Sequence, residues 1–147
     1  MNRISVRREL LMIESAEEFK KLRESENSEE YTRASTEQAD TEVWKQVLKK
    51  YDYLSVWVAQ NKTVPLEILE ILSCHSDSRV RSMVARKRKL TEQLMLTLAK
   101  DKDASVRNAV ANNAKATTTV LGILQKDSEE FVRNSANREK SSLTKLS

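Results

Sequence analysis

From Leu54 to the C-terminus, apolar residues fall in two alternating blocks. The first block places Leu54, Val58 and Ala59 at i, i+4 and i+5, and the same spacing returns at Val80, Val84 and Ala85 and at Val106, Val110 and Ala111. The second block is Ile68, Leu69, Ile71 and Leu72, echoed by Leu94, Met95 and Leu98 and then by Val120, Leu121, Ile123 and Leu124. Each spacing gathers its apolar members on one face of a helix, whereas a strand would scatter them over both faces. The blocks therefore predict pairs of short helices, each about two to three turns long.

Successive pairs are displaced by a fixed 26 residues: LSVWVAQN from Leu54, VRSMVARK from Val80, VRNAVANN from Val106 and VRNSANRE from Val132. Ile68, Leu94, Val120 and Leu146 keep the same period. Such a period marks a stacked-repeat protein. One glycine and one proline in 147 residues leave almost no material for hairpin turns, which argues against a sheet-rich fold. A weaker copy lies upstream, where Asp40, Val43, Trp44 and Val47 precede Pro65, Ile68, Leu69 and Leu72 by 25 residues. Asp40 is placed to cap a helix running to Lys50; the partner helix near Tyr31 and Ala34 is barely periodic. Ser15 to Glu18 has the form of a capping box, with Phe19 and Leu22 as the apolar contacts of a short helix. Residues 1–40 read as a helical N-terminal cap and 41–147 as the repeat array, in one structural domain, with the first dozen residues and those after Lys140 fraying.

The repeated polar positions suggest how layers are joined. Asp77 precedes Arg81, Asp103 precedes Arg107 and Glu129 precedes Arg133, each at i, i+4 with the acid N-terminal, the favourable order on a helix. The acids also suit helix caps. In a stack the arginines would line up and reach the acid of a neighbouring unit as a ladder; a phosphate-binding stripe is the alternative. Ala59, Ala85 and Ala111 form a close-approach column. Asn137 occupies that column in the last unit, as suits a terminal layer facing water. Pro65 stands at a helix start, where its missing N–H costs nothing. Gly122 lies within a helix.

Asp-x-x-Val-Arg-x-x-Val-Ala-x-Asn followed by a loop and an aliphatic helix resembles the HEAT-like α-solenoid repeats, in particular the short leucine-rich-repeat-variant units. The best matches are Asp77 to Lys100 and Asp103 to Lys126. The resemblance covers residues from about 54 onward and implies an all-α, short right-handed solenoid of stacked helix pairs. Some relatives of that type carry a cysteine-ligated iron–sulfur cluster; with Cys74 as the sole cysteine that cluster is not carried over, and no cofactor is expected.

Charge divides the chain. Residues 1–45 carry 8 basic and 11 acidic side chains, and residues 46–147 carry 18 and 11. Arg86, Lys87, Arg88 and Lys89 are adjacent in one predicted inter-helix loop, whereas the equivalent loops, Gln60 to Thr63 and Asn112 to Lys115, hold one lysine each. The excess is not required by the repeat, so it marks a contact site for an acidic protein or a nucleic acid. The other candidate contacts are Trp57 and the variable column of Gln60, Arg86, Asn112 and Arg138, beside that of Val56, Ser82, Asn108 and Asn134.

Catalytic chemistry has little to draw on. His75, the sole histidine, shares a column with Asp101 and Asp127 at a helix end and reads as a loop residue. Cys74 reads as exposed. The longest apolar run, Leu10 to Ile13, is too short for a membrane span or a signal-peptide core, which points to the cytoplasm. The expected function is a non-enzymatic protein-binding module; small arrays resembling this one occur as bacterial immunity proteins that bind and neutralise a secreted toxin domain, such as a nuclease. The alternative is nucleic-acid binding of the kind seen in HEAT-like DNA glycosylases, which use aromatic residues with an acid; Trp44 and Trp57 are the aromatic candidates, with core packing as the plainer reading and no acid in an evident partner position.

Overall fold

A computed structural model describes residues 11–146 and is mostly helical. Two strands, β1 (Met12–Ile13) and β2 (Gln38–Ala39), pair in parallel with Met12 opposite Gln38 and Ile13 opposite Ala39. They are an addition to the all-helical expectation. Of the first dozen residues, expected to fray, residues 1–10 lie outside the described residues and Met12 is paired in β1. The chain divides into two compact units, Met1–Leu69 and Glu70–Ser147.

The first unit contains α1 (Ala16–Glu24), α2 (Ser28–Thr36), α3 (Thr41–Lys50), a 3-10 turn at Asp52–Leu54 and α4 (Ser55–Gln60). Ser15 starts α1 by accepting a hydrogen bond from the Glu18 amide at 3.0 Å, as its capping box predicts. Asn27 starts α2 by accepting from the amides of Glu29 and Glu30. Asp40 precedes α3 as expected, though its side chain makes no capping bond. α1 packs on α2 and α3, and its Phe19 ring meets Trp44 edge-on, 5.2 Å between centroids, with both rings fully buried. α2 packs on α4, and Asn61 just beyond α4 donates through Nδ2 to the carbonyls of Ala34 at 2.9 Å and Glu37 at 3.0 Å. The helix near Tyr31 and Ala34 is thus a partner for α4, although its sequence hardly repeats.

α5 (Leu66–Leu72) spans the division between the units. The second unit continues with α6 (Ser78–Ala85), α7 (Glu92–Leu98), α8 (Ala104–Ala111), α9 (Thr118–Leu124) and α10 (Glu130–Leu146). α6 packs on α8 and α8 on α10, with α7 and α9 behind them. The columns predicted from periodicity are the buried ones: Val80, Val84, Ala85, Val106, Val110, Ala111, Val132 and Ala136 are all at most 1% exposed. Burying such aliphatic side chains contributes about 1.5–3 kcal/mol each for valine or leucine. Helix starts repeat as well. Asp77 and Asp103 accept from the amides of Arg79 and Ser105, both at 2.8 Å, and Thr91 and Thr117 cap α7 and α9. Gly122 meets no neighbour within 4 Å of the space a Cβ would fill, so close packing does not require it.

The last repeat departs from the pattern. α10 continues unbroken from Glu130 to Leu146, through the place where the earlier repeats leave their first helix and through the residues after Lys140 that were expected to fray. Asn61 and Asn113 hold the loops after α4 and α8 by accepting from the amides of Thr63 and Lys115, each at 2.8 Å.

Candidate functional site

The repeated arginines are structural and pair otherwise than their i, i+4 spacing suggested. Arg81 donates through Nε to Asp101 Oδ2 at 2.7 Å and through Nη2 to Oδ1 at 3.1 Å, and Arg107 makes the same fork to Asp127 at 2.7 and 3.2 Å. The third nitrogen turns back to a carbonyl of its own repeat: Arg81 to His75, Arg107 to Asp101 and Arg133 to Asp127, at 2.7, 2.8 and 2.6 Å. Each of Asp101 and Asp127 therefore receives two arginines, one on its carboxylate and one on its carbonyl. Asp77 and Asp103 are occupied as helix caps, which turns their carboxylates to the helix start and away from the guanidinium one turn on. The ladder acids are Asp101 and Asp127, which stand two residues before Asp103 and Glu129. They also accept the amides of those residues, at 2.8 and 2.9 Å. His75 holds the corresponding position in its repeat, and its Nδ1 accepts the Asp77 amide at 3.0 Å. This backbone role accounts for the sole histidine without assigning it chemistry.

Burial works against an ionised Asp127, but hydrogen bonds from Arg107 and the Glu129 amide outweigh it and hold the carboxyl below its ordinary pKa. With the guanidiniums of the ladder committed to these acids and carbonyls, the stripe is poorly supplied to bind phosphate.

The second unit carries a groove of about 540 Å³ lined by α6, α8 and α10. Its wall includes Ser82 and Arg86 at the end of α6, Arg88 in the following loop, Asn108 and Asn112 on α8, and Phe131 on α10. Two members of each variable column thus meet in one place, Ser82 with Asn108 and Arg86 with Asn112, while Val56, Gln60, Asn134 and Arg138 are not among its lining residues. Arg86 and Arg88 are exposed, and no ion pair holds either guanidinium among the described residues. Phe131 is 49% exposed at one end. Asn112 donates through Nδ2 to the Asn108 carbonyl at 2.9 Å, which fixes the side chain along α8.

The other candidate contacts fall elsewhere. Lys87 and Lys89 belong to the same loop but do not line the groove; burial pushes the Lys87 ammonium down to about 8, with the Lys89 charge adding to the shift. Lys87 takes the column of Asn61 and Asn113, so a lysine sits where the repeat elsewhere tucks an amide against backbone. Arg138 is exposed on α10, with Nη2 3.5 Å from Ser135 Oγ. Trp57 and Gln60 belong to the first unit, beside a recess lined also by Arg23 and Tyr31. There the Arg23 guanidinium stacks 3.4 Å from the Trp57 ring centroid and 4.3 Å from that of Tyr31, a cation–π sandwich that occupies the tryptophan face. Trp44 is a core residue at 0% exposure. Groove residues that sequence reasoning missed include Ser105, Asn113, Ala114 and Phe131; Phe131 shares its column with Tyr53, Arg79 and Ser105.

Among the described residues no helix is long and apolar enough to cross a membrane, and no three His, Cys, Asp or Glu side chains come together as a metal site. Cys74 is exposed. No family model, curated protein or solved structure matches the chain.

Proposed function

We propose that this chain is a non-enzymatic protein-binding module built as a short HEAT-like α-solenoid, and that its partner sits on the groove between α6, α8 and α10. The observation that carries this reading is the sorting of columns. Positions that repeat are buried or tied into the arginine ladder, while the positions that vary, Ser82, Arg86, Asn108 and Asn112, line one concave surface. Variation on a fixed frame is how stacked helices tailor a face to one partner. In its narrower form the reading is an immunity protein that covers a secreted toxin domain, supported by the resemblance to small HEAT-like arrays and by the absence of any need for a cofactor in such a role.

The test is capture of the full chain from its native cells, followed by reconstitution with any protein recovered. A stoichiometric partner, including the product of an adjacent gene, that binds the wild type and is lost from an Arg86→Ser/Arg88→Ser variant is the expected result. Recovery of the chain alone, or a partner indifferent to both arginines, refutes it. The two free arginines also favour a second reading, nucleic-acid binding. That reading requires affinity for duplex DNA or tRNA falling steeply with salt, in proportion to the phosphates neutralised.

A further inference from the structure

We infer that Arg133 is an open rung of the arginine ladder and takes the carboxylate of an aspartate carried in a turn of a partner polypeptide. This rests on the protein-binding reading above and adds a contact outside the groove. Arg81, Arg107 and Arg133 are anchored alike, each donating through Nη1 to a carbonyl six residues earlier, at 2.7, 2.8 and 2.6 Å. In the first two, the anchored guanidinium turns Nε and Nη2 onto an aspartate, at 2.7 and 3.1 Å on Asp101 and at 2.7 and 3.2 Å on Asp127. Nε and Nη2 of Arg133 meet no acceptor among the described residues, and neither belongs to the unpaired polar atoms that are closed to solvent. The fork is therefore held in place and within reach of a ligand. The sister rungs show what it is shaped for. Asp101 and Asp127 each stand in a turn, and the Oδ1 that takes Nη2 also accepts the amide two residues on, at 2.8 and 2.9 Å. An aspartate in such a turn brings a carboxylate already oriented by its own backbone, and a fork of fixed donors engages it in two bonds. Local charge separates this ligand from a phosphate chain. Glu129 and Glu130 precede Arg133 by four and three residues, the spacings that share a helix face. One carboxylate sets a single charge against one guanidinium, whereas a nucleic acid brings a run of phosphates up to those two acids.

The experiment pans a displayed library of short, cyclised random peptides on the full-length chain and discards those that also bind Arg133→Leu. The survivors are synthesised. They are expected to share an aspartate, to lose more than about tenfold in affinity when it is changed to asparagine, and to lose as much on Arg133→Lys, which keeps the charge and removes the fork. Adding such a peptide to the isotope-labelled chain is expected to move the Arg133 Nε–H resonance and to leave those of Arg81 and Arg107 in place. That readout is made on the wild type, so it stands even where Arg133→Leu misfolds, and Arg133→Gln then replaces the leucine variant in the panning. The inference is overturned if no peptide survives, if the survivors share no aspartate, if Arg133→Lys binds them as the wild type does, or if the Arg133 resonance stays where it was. It is overturned equally if a DNA duplex or single strand moves that resonance and displaces the peptides with the salt dependence of phosphate binding. A native partner captured as well by Arg133→Leu and Arg133→Lys as by the wild type sinks this inference and spares the protein-binding reading; peptides held by Arg133 with no native partner captured do the reverse.

Discussion

Replacing Arg81 with methionine removes more than an ion pair. The guanidinium holds both oxygens of Asp101, at 2.7 and 3.1 Å, and the carbonyls of His75 and Ser76, at 2.7 and 3.1 Å. The two paired side chains are only 6% and 9% exposed. Methionine keeps the apolar stem and strands a buried carboxylate with one remaining donor, the Asp103 amide at 2.8 Å. Breaking a buried pair in this way costs about 3–5 kcal/mol, because the surviving charge keeps its desolvation penalty and loses its partner. The assay is a double-mutant cycle in urea with Arg81→Met, Asp101→Leu and the pair. The double variant is expected to lose about 1–3 kcal/mol less than the two single losses added, since it buries no orphan charge. Lys45 and Glu67 supply the contrast, for their 2.9 Å contact lies at 42% and 57% exposure and belongs with pairs worth about 0–1 kcal/mol. A loss below about 1 kcal/mol for Arg81→Met, or strict additivity in the cycle, would refute the ladder as a structural element.

Asn113→Ala leaves the buried Ala85 carbonyl and the Lys87 carbonyl without the Nδ2 donor that reaches them at 2.8 and 2.9 Å, and should cost about 2–4 kcal/mol in urea unfolding, with exposed Asn112→Ala costing clearly less. Hydrogen bonds from the Arg79 side chain and amide hold the Asp77 carboxyl at about 2, below an unfolded value near 3.9; its contribution is therefore complete above about pH 4 and lost as pH falls through about 2. Carbon-detected titration should give that midpoint, and Arg79→Ser should move it upward; an unmoved midpoint would refute the assignment. Lys87 shifts the other way, since between about pH 8 and the unfolded value near 10.4 the unfolded chain holds a proton the folded chain has shed, so stability should rise with pH across that window and the rise should vanish in Lys87→Gln.

Much of the fold was legible because burial and period coincide. The valine, alanine and leucine columns follow from helical spacing alone, and the caps at Ser15, Asp77 and Asp103 follow from these residues standing just ahead of helical blocks; the caps at Thr91 and Thr117 came only with the structure. What could not be read was partner choice between charged groups. Local spacing favours Arg81 with Asp77, but a helix cap and a layer contact compete for the same acid. The competition is settled by where helices lie in space, twenty residues away in sequence at Asp101. The strand pair was illegible for the opposite reason, being two residues on each side, too short for any alternation to register.

The same competition explains why the groove was only half visible. The four adjacent cations Arg86 to Lys89 look equivalent in sequence, yet their surroundings divide them: Arg86 and Arg88 line the groove, while burial depresses the ammoniums of Lys87 and Lys89. Two exposed arginines suit recognition of a carboxylate, which a fork of fixed N–H donors engages in two bonds. A lysine with a depressed pKa, in a column elsewhere filled by asparagine, is instead a packing compromise in the loop. A charge run is therefore not one feature here. Its alternate residues serve the groove and the frame, and any experiment that neutralises all four together will confound lost contact with altered stability; Arg86 and Arg88 have to be changed apart from Lys87 and Lys89.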